Sequence, residues 1–321
     1  MLSSRPNNAT FSPQDHDWEN ECVTHKKDGI LYSKWMLSNV LDDLRTYQVR
    51  DDDVWFVSYP KSGSTWIQQM LRLISVKGDR KQITEHVLSS IKYIEMNAAL
   101  HYSHFEKFTT PFRHHQLQDA PSPRIIKTHL PDKHLPQQLF ENRAKVIYIS
   151  RNPKDVAVSY FHFHNYNVVL PRYTQWNQFY QDFVRNEVIY GSWFDHNLFW
   201  WKRRHLPNIL FFKYEDVKMD PRSTVIQMAD FLGHNLSDEA IDEVVKHSSF
   251  SSMKDDAQSN IIGTWLPLFD HKIYSKTSFI RKGEVGDWKN YFTVTQNEEY
   301  DRVYHERMQG TGLKLCFELI N

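Results

Sequence analysis

The fold of this chain is decided by the stretch Val54-Trp55-Phe56-Val57-Ser58-Tyr59-Pro60-Lys61-Ser62-Gly63-Ser64-Thr65-Trp66. Its apolar start predicts a buried strand, and the residues after Gly63 predict the first turn of a helix. Helix N-termini carry unpaired N–H groups and partial positive charge, and therefore bind anions. Gly63 lacks a Cβ, which lets the backbone turn sharply beside a phosphate, and Lys61 adds a full charge. The stretch predicts a site for a phosphorylated ligand.

This loop differs from the Walker A loop of P-loop kinases and GTPases, Gly-x-x-x-x-Gly-Lys-Ser/Thr. Here Lys61 precedes the glycine, and no second glycine stands before it. Kinase and GTPase functions are therefore disfavoured. Taken alone, a strand-to-helix turn with an incidental lysine explains the loop equally well, because short Gly-Ser loops are common.

Strand-like and helix-like segments alternate after this loop. Short β-rich runs lie at 124–127, 145–149 and 209–213. Helical patterns lie at 65–76, 153–164, 176–190, 194–204 and 221–232. The alternation predicts an α/β fold: a single domain with a central parallel β-sheet flanked by helices, containing a P-loop-like phosphate-binding strand-loop-helix. Ligands bind such sheets at the carboxyl ends of the strands, where Lys61, His129 and Arg151 are expected.

Helix caps support these boundaries. Asn152 followed by Pro153 is a typical helix start, and Asp220 followed by Pro221 repeats it. The run from Thr295 to Glu298 predicts a capping box for the last helix.

Composition limits the class of protein. With 321 residues, 40% of them hydrophobic, the chain is long enough for a sizeable core, and no Pro-, Gly- or Ser-rich linker or internal repeat divides it. We expect one domain at 35–321, preceded by a polar extension at 1–34 that is either disordered or a lid over the acceptor site. The formal net charge is zero, which argues against a nucleic-acid partner.

The two cysteines, Cys22 and Cys316, are far apart in no ligand-like spacing, so we expect reduced thiols and no metal site. The N-terminus lacks the apolar core of a signal peptide, and no later stretch is long enough to span a bilayer. These features predict a cytoplasmic protein with no membrane partner.

Three further segments accompany the loop: Lys127-Thr128-His129-Leu130-Pro131, the run from Ser150 to Tyr160 that begins Ser150-Arg151-Asn152-Pro153, and Arg281-Lys282-Gly283-Glu284-Val285-Gly286-Asp287-Trp288-Lys289-Asn290. Together they resemble the cytosolic sulfotransferase family, over about residues 35 to 310. That family transfers a sulfuryl group from 3'-phosphoadenosine-5'-phosphosulfate (PAPS) to a hydroxyl or amine, leaving 3'-phosphoadenosine-5'-phosphate (PAP). The resemblance implies the same α/β architecture, PAPS as cofactor and a small-molecule acceptor.

The resemblance also implies three catalytic residues. His129 would be the general base, and the ordinary histidine pKa of ~6.5 suits proton abstraction near neutrality. Lys61 would contact the bridging oxygen and assist the leaving phosphate. Lys127 would stabilise charge on the transferring sulfuryl group. Without the resemblance, one of 17 histidines and an ordinary surface lysine would be the simpler interpretations.

The residues that would hold the cofactor come from segments spread along the sequence. The loop after the first strand would bind the 5'-phosphate, Arg151 and Ser159 the 3'-phosphate, and the Arg281 segment would close over the same phosphate. The full implied set is Lys61, Ser62, Gly63, Ser64, Thr65, Trp66, Arg151, Ser159, Tyr214, Ser248, Ser249, Phe250, Met253, Phe279, Arg281, Lys282 and Gly283. Ser64 and Ser248 stand where the family more often has threonine, but each keeps a hydroxyl.

The acceptor site is the least specified part. Aromatic residues make up 14% of the chain and suit a flat phenol, a steroid-like alcohol or an isoprenoid, although many of these rings belong equally well in the core. The candidate acceptor-binding residues are Lys127, His129, Phe105, Phe108, Phe112, Phe161 and Tyr166.

A homodimer is expected from Lys-x-x-x-Thr-Val-x-x-x-Glu, the family's short dimerisation motif, which here comprises Lys289, Thr293, Val294 and Glu298. An amphipathic helix start with a solvated charge pair is the other interpretation of this motif.

The favoured function is a PAPS-dependent sulfotransferase for small hydroxylated molecules. A second possibility is a same-fold dehydratase that sulfonates an allylic alcohol and lets sulfate leave. A third is a non-catalytic binder of an apolar hormone, which would be expected to lack Lys61, Lys127 or His129. All three residues are present.

Overall fold

A five-stranded sheet, in which every neighbouring pair of strands is parallel, lies at the centre of the protein. The computed structural model describes residues 24–33, 36, 38–87, 91–95, 113–141, 143–167, 170–256, 258–259 and 280–319. The strands in these residues are β1 (Thr24–Lys27), β2 (Ile30–Ser33), β3 (Val54–Ser58), β4 (Lys92–Tyr93), β5 (Ile125–Thr128), β6 (Lys145–Ser150) and β7 (Ile209–Lys213). The order across the sheet is β4-β5-β3-β6-β7, and β1 and β2 form a separate antiparallel hairpin.

Helices cover both faces of the sheet. The described α-helices are α1 (Ser38–Arg45), α2 (Ser64–Ser75), α3 (Arg113–Gln118), α4 (Pro153–Tyr166), α5 (Trp176–Val184), α6 (Trp193–Arg203), α7 (Tyr214–Met219), α8 (Pro221–Leu232), α9 (Asp238–His247), α10 (Phe250–Asp255) and α11 (Val294–Met308). Short 3-10 helices occupy Arg80–Gln82, Asp132–His134, Gln137–Phe140 and Asp287–Asn290.

The central strand β3 explains why the sheet has two covered faces. Successive side chains of a strand point to opposite faces. Trp55 and Val57 pack with α4, α5, α6 and α11 in one apolar cluster, whereas Val54 and Phe56 pack with α2, α8 and α9 in the other. A strand buried on both faces needs an unbroken apolar run, and this is what the sequence has.

Two predicted helix starts are confirmed and one is wrong. The side chain of Asn152 accepts the backbone N–H of Asp155 at the start of α4, and Asp220 accepts that of Ser223 at the start of α8. The capping box of α11 is formed by Thr293 and Gln296. The box predicted at Thr295 to Glu298 lies inside the helix, because the extended backbone needed at an N-cap is that of Thr293.

The helix predicted at 176–190 is shorter than expected. α5 ends at Val184, and Asn186 and Tyr190 adopt left-handed backbone angles, with φ of 62° and 68°. The apolar residues after Asn186 therefore do not continue the helix. Ile189 instead forms an isolated bridge with Leu31 of β2.

The N-terminal hairpin modifies the predicted domain boundary. Thr24–Ser33 belongs to the segment expected to be disordered or a lid, yet Tyr32 is fully buried and its hydroxyl lies 2.6 Å from Nδ1 of His134. These ten residues are packed on the domain, which contradicts disorder for them but leaves the lid alternative open. Residues 1–23 lie outside the described residues, so both alternatives for them stay open.

Three of the predicted acceptor residues, Phe105, Phe108 and Phe112, and the predicted cofactor residue Phe279 also lie outside the described residues. Within the described part of the chain, no helix combines the length and apolar character needed to cross a membrane.

Candidate active site

The loop between β3 and α2 has the geometry of an anion cradle. Lys61 and Gly63 both adopt left-handed backbone angles, with φ of 66° and 101°. Ser64 and Thr65 occupy the first turn of α2, where a helix provides no carbonyl for backbone N–H groups. The hydroxyl of Ser62 is buried and finds no hydrogen-bond partner among the described residues. An anion at this point would satisfy all of these donors.

Gly63 is required by its packing as well as by its backbone angle. A Cβ at this position would lie 2.7 Å from Cδ2 of Tyr214, the first residue of α7. The ring of Trp66 meets the same tyrosine edge-on, with ring centroids 5.4 Å apart. Predicted cofactor residues from the loop and from the end of β7 are thus in direct contact.

Two lysines lie in a poorly solvated region beside the loop. Burial, together with Lys127, Arg151 and Arg281, lowers the pKa of Lys61 to about 7. Burial likewise lowers the pKa of Lys127 to about 8. The ammonium of Lys61 stands 4.3 Å from the ring centre of Phe163, and that of Lys127 donates to Oε1 of Gln68 at 3.1 Å. Such charges make a strong local attraction for an anionic ligand.

His129 follows β5 and has a defined tautomer. Its Nδ1 lies 2.5 Å from the carbonyl oxygen of Ser58, which can only accept, so Nδ1 carries the proton. Burial and the nearby charge of Lys127 hold the pKa of His129 well below its usual range. The imidazole is therefore neutral, and its Nε2 has a lone pair available to take a proton.

A group of polar side chains around His129 was not predicted. Oε1 of Glu95 accepts the backbone N–H of His129 at 2.6 Å, and the hydroxyls of Tyr93 and Tyr190 are 2.9 Å apart. Both tyrosine rings meet the imidazole edge-on, at centroid distances of 5.1 and 5.7 Å. A lone acidic residue in the apolar run Tyr93-Ile94-Glu95-Met96 was the only signal in the sequence.

The residues predicted to bind the 3'-phosphate, Arg151 and Ser159, follow the end of β6. Arg151 is buried, donates to the backbone of Glu284 at 2.7 Å, and stacks 4.3 Å above the ring of Tyr214. Its Nε finds no partner among the described residues. Ser159 lies further along α4 and is half-buried. Arg151 thus joins the loop, α7 and the Arg281 segment.

The remaining predicted cofactor residues come from two segments that touch. A Cβ at Gly283 would lie 2.5 Å from Cδ2 of Phe250, so these segments meet closely. Met253 is buried, and Ser249 caps α10. The hydroxyl of Ser248 donates to the carbonyl of Val244 at 2.7 Å.

The two cations of this region have a partner within the chain. Arg281 and Lys282 both form ion pairs with Asp287, at 2.6 and 2.5 Å, and these contacts lower the pKa of Asp287 to about 2. A phosphate bound here would compete with Asp287 for them.

Two of the predicted acceptor residues, Phe161 and Tyr166, lie on α4. Phe161 packs on Trp176 and Phe179 in the apolar core. The ring that faces Lys61 is that of Phe163, two residues on and on a different side of the helix. Tyr166 is buried and contacts Phe163 edge-on.

The predicted dimer residues lie together at the start of α11. Val294 is 76% exposed, which is unusual for a large apolar side chain. Lys289 forms an ion pair with Glu318 of its own chain, at 2.5 Å. Thr293 is the helix cap, and Glu298 is exposed.

Comparison with known proteins gives the family. The model of the sulfotransferase domain matches residues 51–312. Sulfotransferase 1B1 of the dog, Canis lupus familiaris, is 39% identical over 311 residues, which are 96% of this chain and 100% of that protein. Sulfotransferase 1E1 of Bos taurus is 40% identical over 286 residues, covering 88% and 92%. The chain belongs to the sulfotransferase family.

Solved structures agree with this assignment. Mouse sulfotransferase SULT7A1, crystallised with PAP, is 32% identical with a TM-score of 0.73, covering 90% of this chain and 95% of that one. A retinol dehydratase, crystallised with androsterone and the inactive cofactor PAP, is 25% identical with a TM-score of 0.78 and covers 91% of each chain. The predicted family, the α/β fold with its central parallel sheet, and the enzyme class are confirmed.

Proposed function

We propose that the protein transfers a sulfuryl group from PAPS to a hydroxyl or amine of a small, largely apolar acceptor, with His129 as general base. The enzyme class and the donor, PAPS, are those of its family. The proposal adds the acceptor class, the roles of the residues and the cytoplasm as compartment. The observation that carries it is a neutral imidazole at the end of β5, with Nε2 as its free base, beside two poorly solvated lysines.

The residues around the loop suit the donor. The buried Ser62 hydroxyl and Arg151 Nε lack partners among the described residues, and phosphate oxygens would satisfy both. The absence of a Cβ at Gly63 lets the ring of Tyr214 pack against the loop. Trp66 and Tyr214 supply aromatic faces for the adenine ring.

The chain's own groups divide the work of transfer. PAPS supplies the sulfuryl group, whose bond to the bridging phosphate oxygen breaks as a bond to the acceptor oxygen forms. Nε2 of His129 takes the proton of the acceptor hydroxyl. Lys61 and Lys127 stabilise the charge that moves onto the phosphate and sulfuryl oxygens, which in a loose transition state is most of the catalysis.

An apolar acceptor is supported by the rings near the catalytic groups. Tyr93 and Tyr190 flank His129, and Phe163 lies beside Lys61. Aromatic walls with a few polar groups suit phenols, steroid-like alcohols or isoprenoids.

The test is turnover of PAPS with a pooled panel of phenols, sterols, catecholamines and isoprenoid alcohols, with products identified by mass spectrometry. His129→Ala and Lys61→Ala are compared with His205→Ala, which changes an exposed histidine away from the site. The proposal is supported if a sulfonated product forms and its rate of formation falls about 100-fold or more in His129→Ala and Lys61→Ala but not in His205→Ala. A dehydrated product would select the dehydratase alternative. This alternative is considered because the chain is similar to a retinol dehydratase.

A further inference from the structure

Glu95 is a fully buried carboxylate next to the catalytic histidine. It follows the short strand β4, and its Oε1 accepts the backbone N–H of His129 at 2.6 Å. The hydroxyl of Tyr190 lies 3.4 Å from the same oxygen. Its other oxygen has no hydrogen-bond partner among the described residues. Burying an ionised carboxylate costs free energy, so the burial of Glu95 suggests a functional role.

The surroundings of Glu95 contain charges of both signs. Lys127 on β5 is close enough to lower the pKa of Glu95, and the charge of Glu95 raises the pKa of Lys127 in return. Burial outweighs this attraction and raises the pKa of Glu95 to about 7. The titratable and charged groups that face Glu95, Lys127 or His129 are Tyr32, Lys61, Tyr93, Tyr190 and His196.

We infer that Glu95 is a positioning residue for sulfuryl transfer, which fixes the main chain of His129 and places its carboxylate charge near Lys127. This inference rests on the proposed function.

The positioning step follows from two contacts on His129. Glu95 holds the backbone N–H, and Ser58 holds Nδ1 of the ring. The main chain and the imidazole are thus fixed independently, by β4 and by β3. Loss of the first contact would leave the ring contact alone to direct Nε2 toward the acceptor.

The charge step follows from the position of Lys127. The backbone N–H of Ile94, the residue before Glu95, donates to the carbonyl of Lys127 at 3.0 Å. Burial lowers the pKa of this lysine. Its ammonium donates to the neutral amide of Gln68, and among the described residues Glu95 is the anion that acts on it. Without that charge, Lys127 would lose its proton at a lower pH.

Glu215 offers a matched comparison. It too is fully buried, its Oε1 accepts the backbone N–H of Asn152 at 2.8 Å after the end of β6, and burial raises its pKa to about 7. The cation that acts on Glu215 is Arg151 instead of Lys127. If Glu95 had a purely structural role, Glu95→Gln and Glu215→Gln would be expected to change the pH profile of the reaction to the same extent.

The experiment measures kcat, KM for PAPS and the pH profile of kcat at saturating PAPS for the wild type, Glu95→Ala, Glu95→Gln and Glu215→Gln, with PAP affinity and melting temperature for each. His129→Ala is included as the test of the proposed function. The Gln variant at 95 keeps an oxygen for the His129 N–H but removes the charge.

We expect Glu95→Ala to lower kcat about tenfold or more with little change in KM for PAPS, because it displaces the base. Glu95→Gln should have a kcat close to that of the wild type at acid pH. In this variant the alkaline decline of the rate should begin at a lower pH than in the wild type. Glu215→Gln should leave the pH of that decline where it is in the wild type.

Several results would overturn the inference. One is an unchanged kcat and pH profile in both Glu95 variants; another is an equal effect on the profile from Glu215→Gln. If Glu95→Ala does not fold, the Gln variant alone decides through its pH profile. Full activity in His129→Ala would instead refute the proposed base, which separates that failure from this one.

Discussion

At the scale of single residues, the site depends on side chains that water reaches poorly. Lys61 and Lys127 would both be fully protonated in water, with an ordinary pKa of ~10.4. In the folded chain they bind their protons far less tightly, with pKa values of about 7 and 8. Protonation of these lysines is therefore unfavourable in the free protein, and a bound anionic ligand makes it favourable again.

Ligand binding should therefore be coupled to proton uptake. Near about pH 8, Lys61 is mostly neutral in the free protein, and the phosphates of PAP restore its charge on binding. We expect uptake of roughly one proton per PAP, measured by titration calorimetry in buffers of different ionisation enthalpy. Lys61→Met should lose most of this uptake, whereas Lys202→Met, at an exposed position, should keep it. Unchanged uptake in Lys61→Met would contradict the shifted pKa.

Gly63 permits a second prediction. Gly63→Ala strains a left-handed backbone and drives a Cβ into Tyr214, whereas Gly233→Ala strains a left-handed backbone with nothing within 4 Å. We expect Gly233→Ala to lower the free energy of unfolding by about 1 kcal/mol, and Gly63→Ala by about 1–3 kcal/mol more. Denaturant unfolding measures both. PAP affinity should fall only in Gly63→Ala, and equal losses of stability would mean that the tyrosine contact costs nothing.

At the scale of elements, caps decide where helices begin. The extended backbone of Thr293 and its hydroxyl bond to the N–H of Gln296 start α11, two residues before the position that the sequence predicted. Thr295 lies one residue inside the helix and is exposed. Both threonines have a glutamate or glutamine three residues on, so the pattern alone could not choose between them.

The two threonines can be told apart by substitution. Thr293→Ala should lower the free energy of unfolding by about 1 kcal/mol, because it removes the cap. Thr295→Ala should stay within about 0.5 kcal/mol of the wild type, as expected for an exposed site. Thermal and denaturant unfolding at two protein concentrations measure the difference and separate it from any change in association. The reverse ranking would restore the capping box at Thr295.

At the scale of the whole molecule, the exposed Val294 is the feature that a single chain does not explain. We propose that it forms the centre of a two-fold contact with Thr293, Lys289 and Glu298. The pairing of Lys289 with Glu318 in its own chain would have to be exchanged for a contact with Glu298 of a second copy.

Light scattering tests this association. Val294→Glu should reduce the mass in solution from that of a dimer to that of a monomer, because it places a charge at the centre of a small apolar contact. Met219→Glu is the control, since Met219 is 61% exposed but lies outside the motif. A monomeric wild type, or a dimer that survives Val294→Glu, would rule out this contact.

Much of the molecule was predictable because its signals are local. Strand β3, the loop at Lys61 and the start of α4 at Asn152 each follow from neighbouring residues. The sequence did not indicate Glu95, because its role depends on contact with a residue 34 positions later. It did not single out Phe163, since both faces of α4 are apolar and only the packing shows which ring meets Lys61.

The order of strands in the sheet also has a consequence for synthesis on the ribosome. The central strand β3 pairs with β5 and β6, and the second of these neighbours emerges roughly ninety residues later. At about 5–20 residues per second, that is a delay of roughly 5 to 20 seconds before both edges of this apolar strand can be paired. Parallel pairings cannot form earlier, because their contacts are distant along the chain. We therefore expect the nascent chain to bind chaperones until β6 has been translated, and a truncation before Lys145 to aggregate.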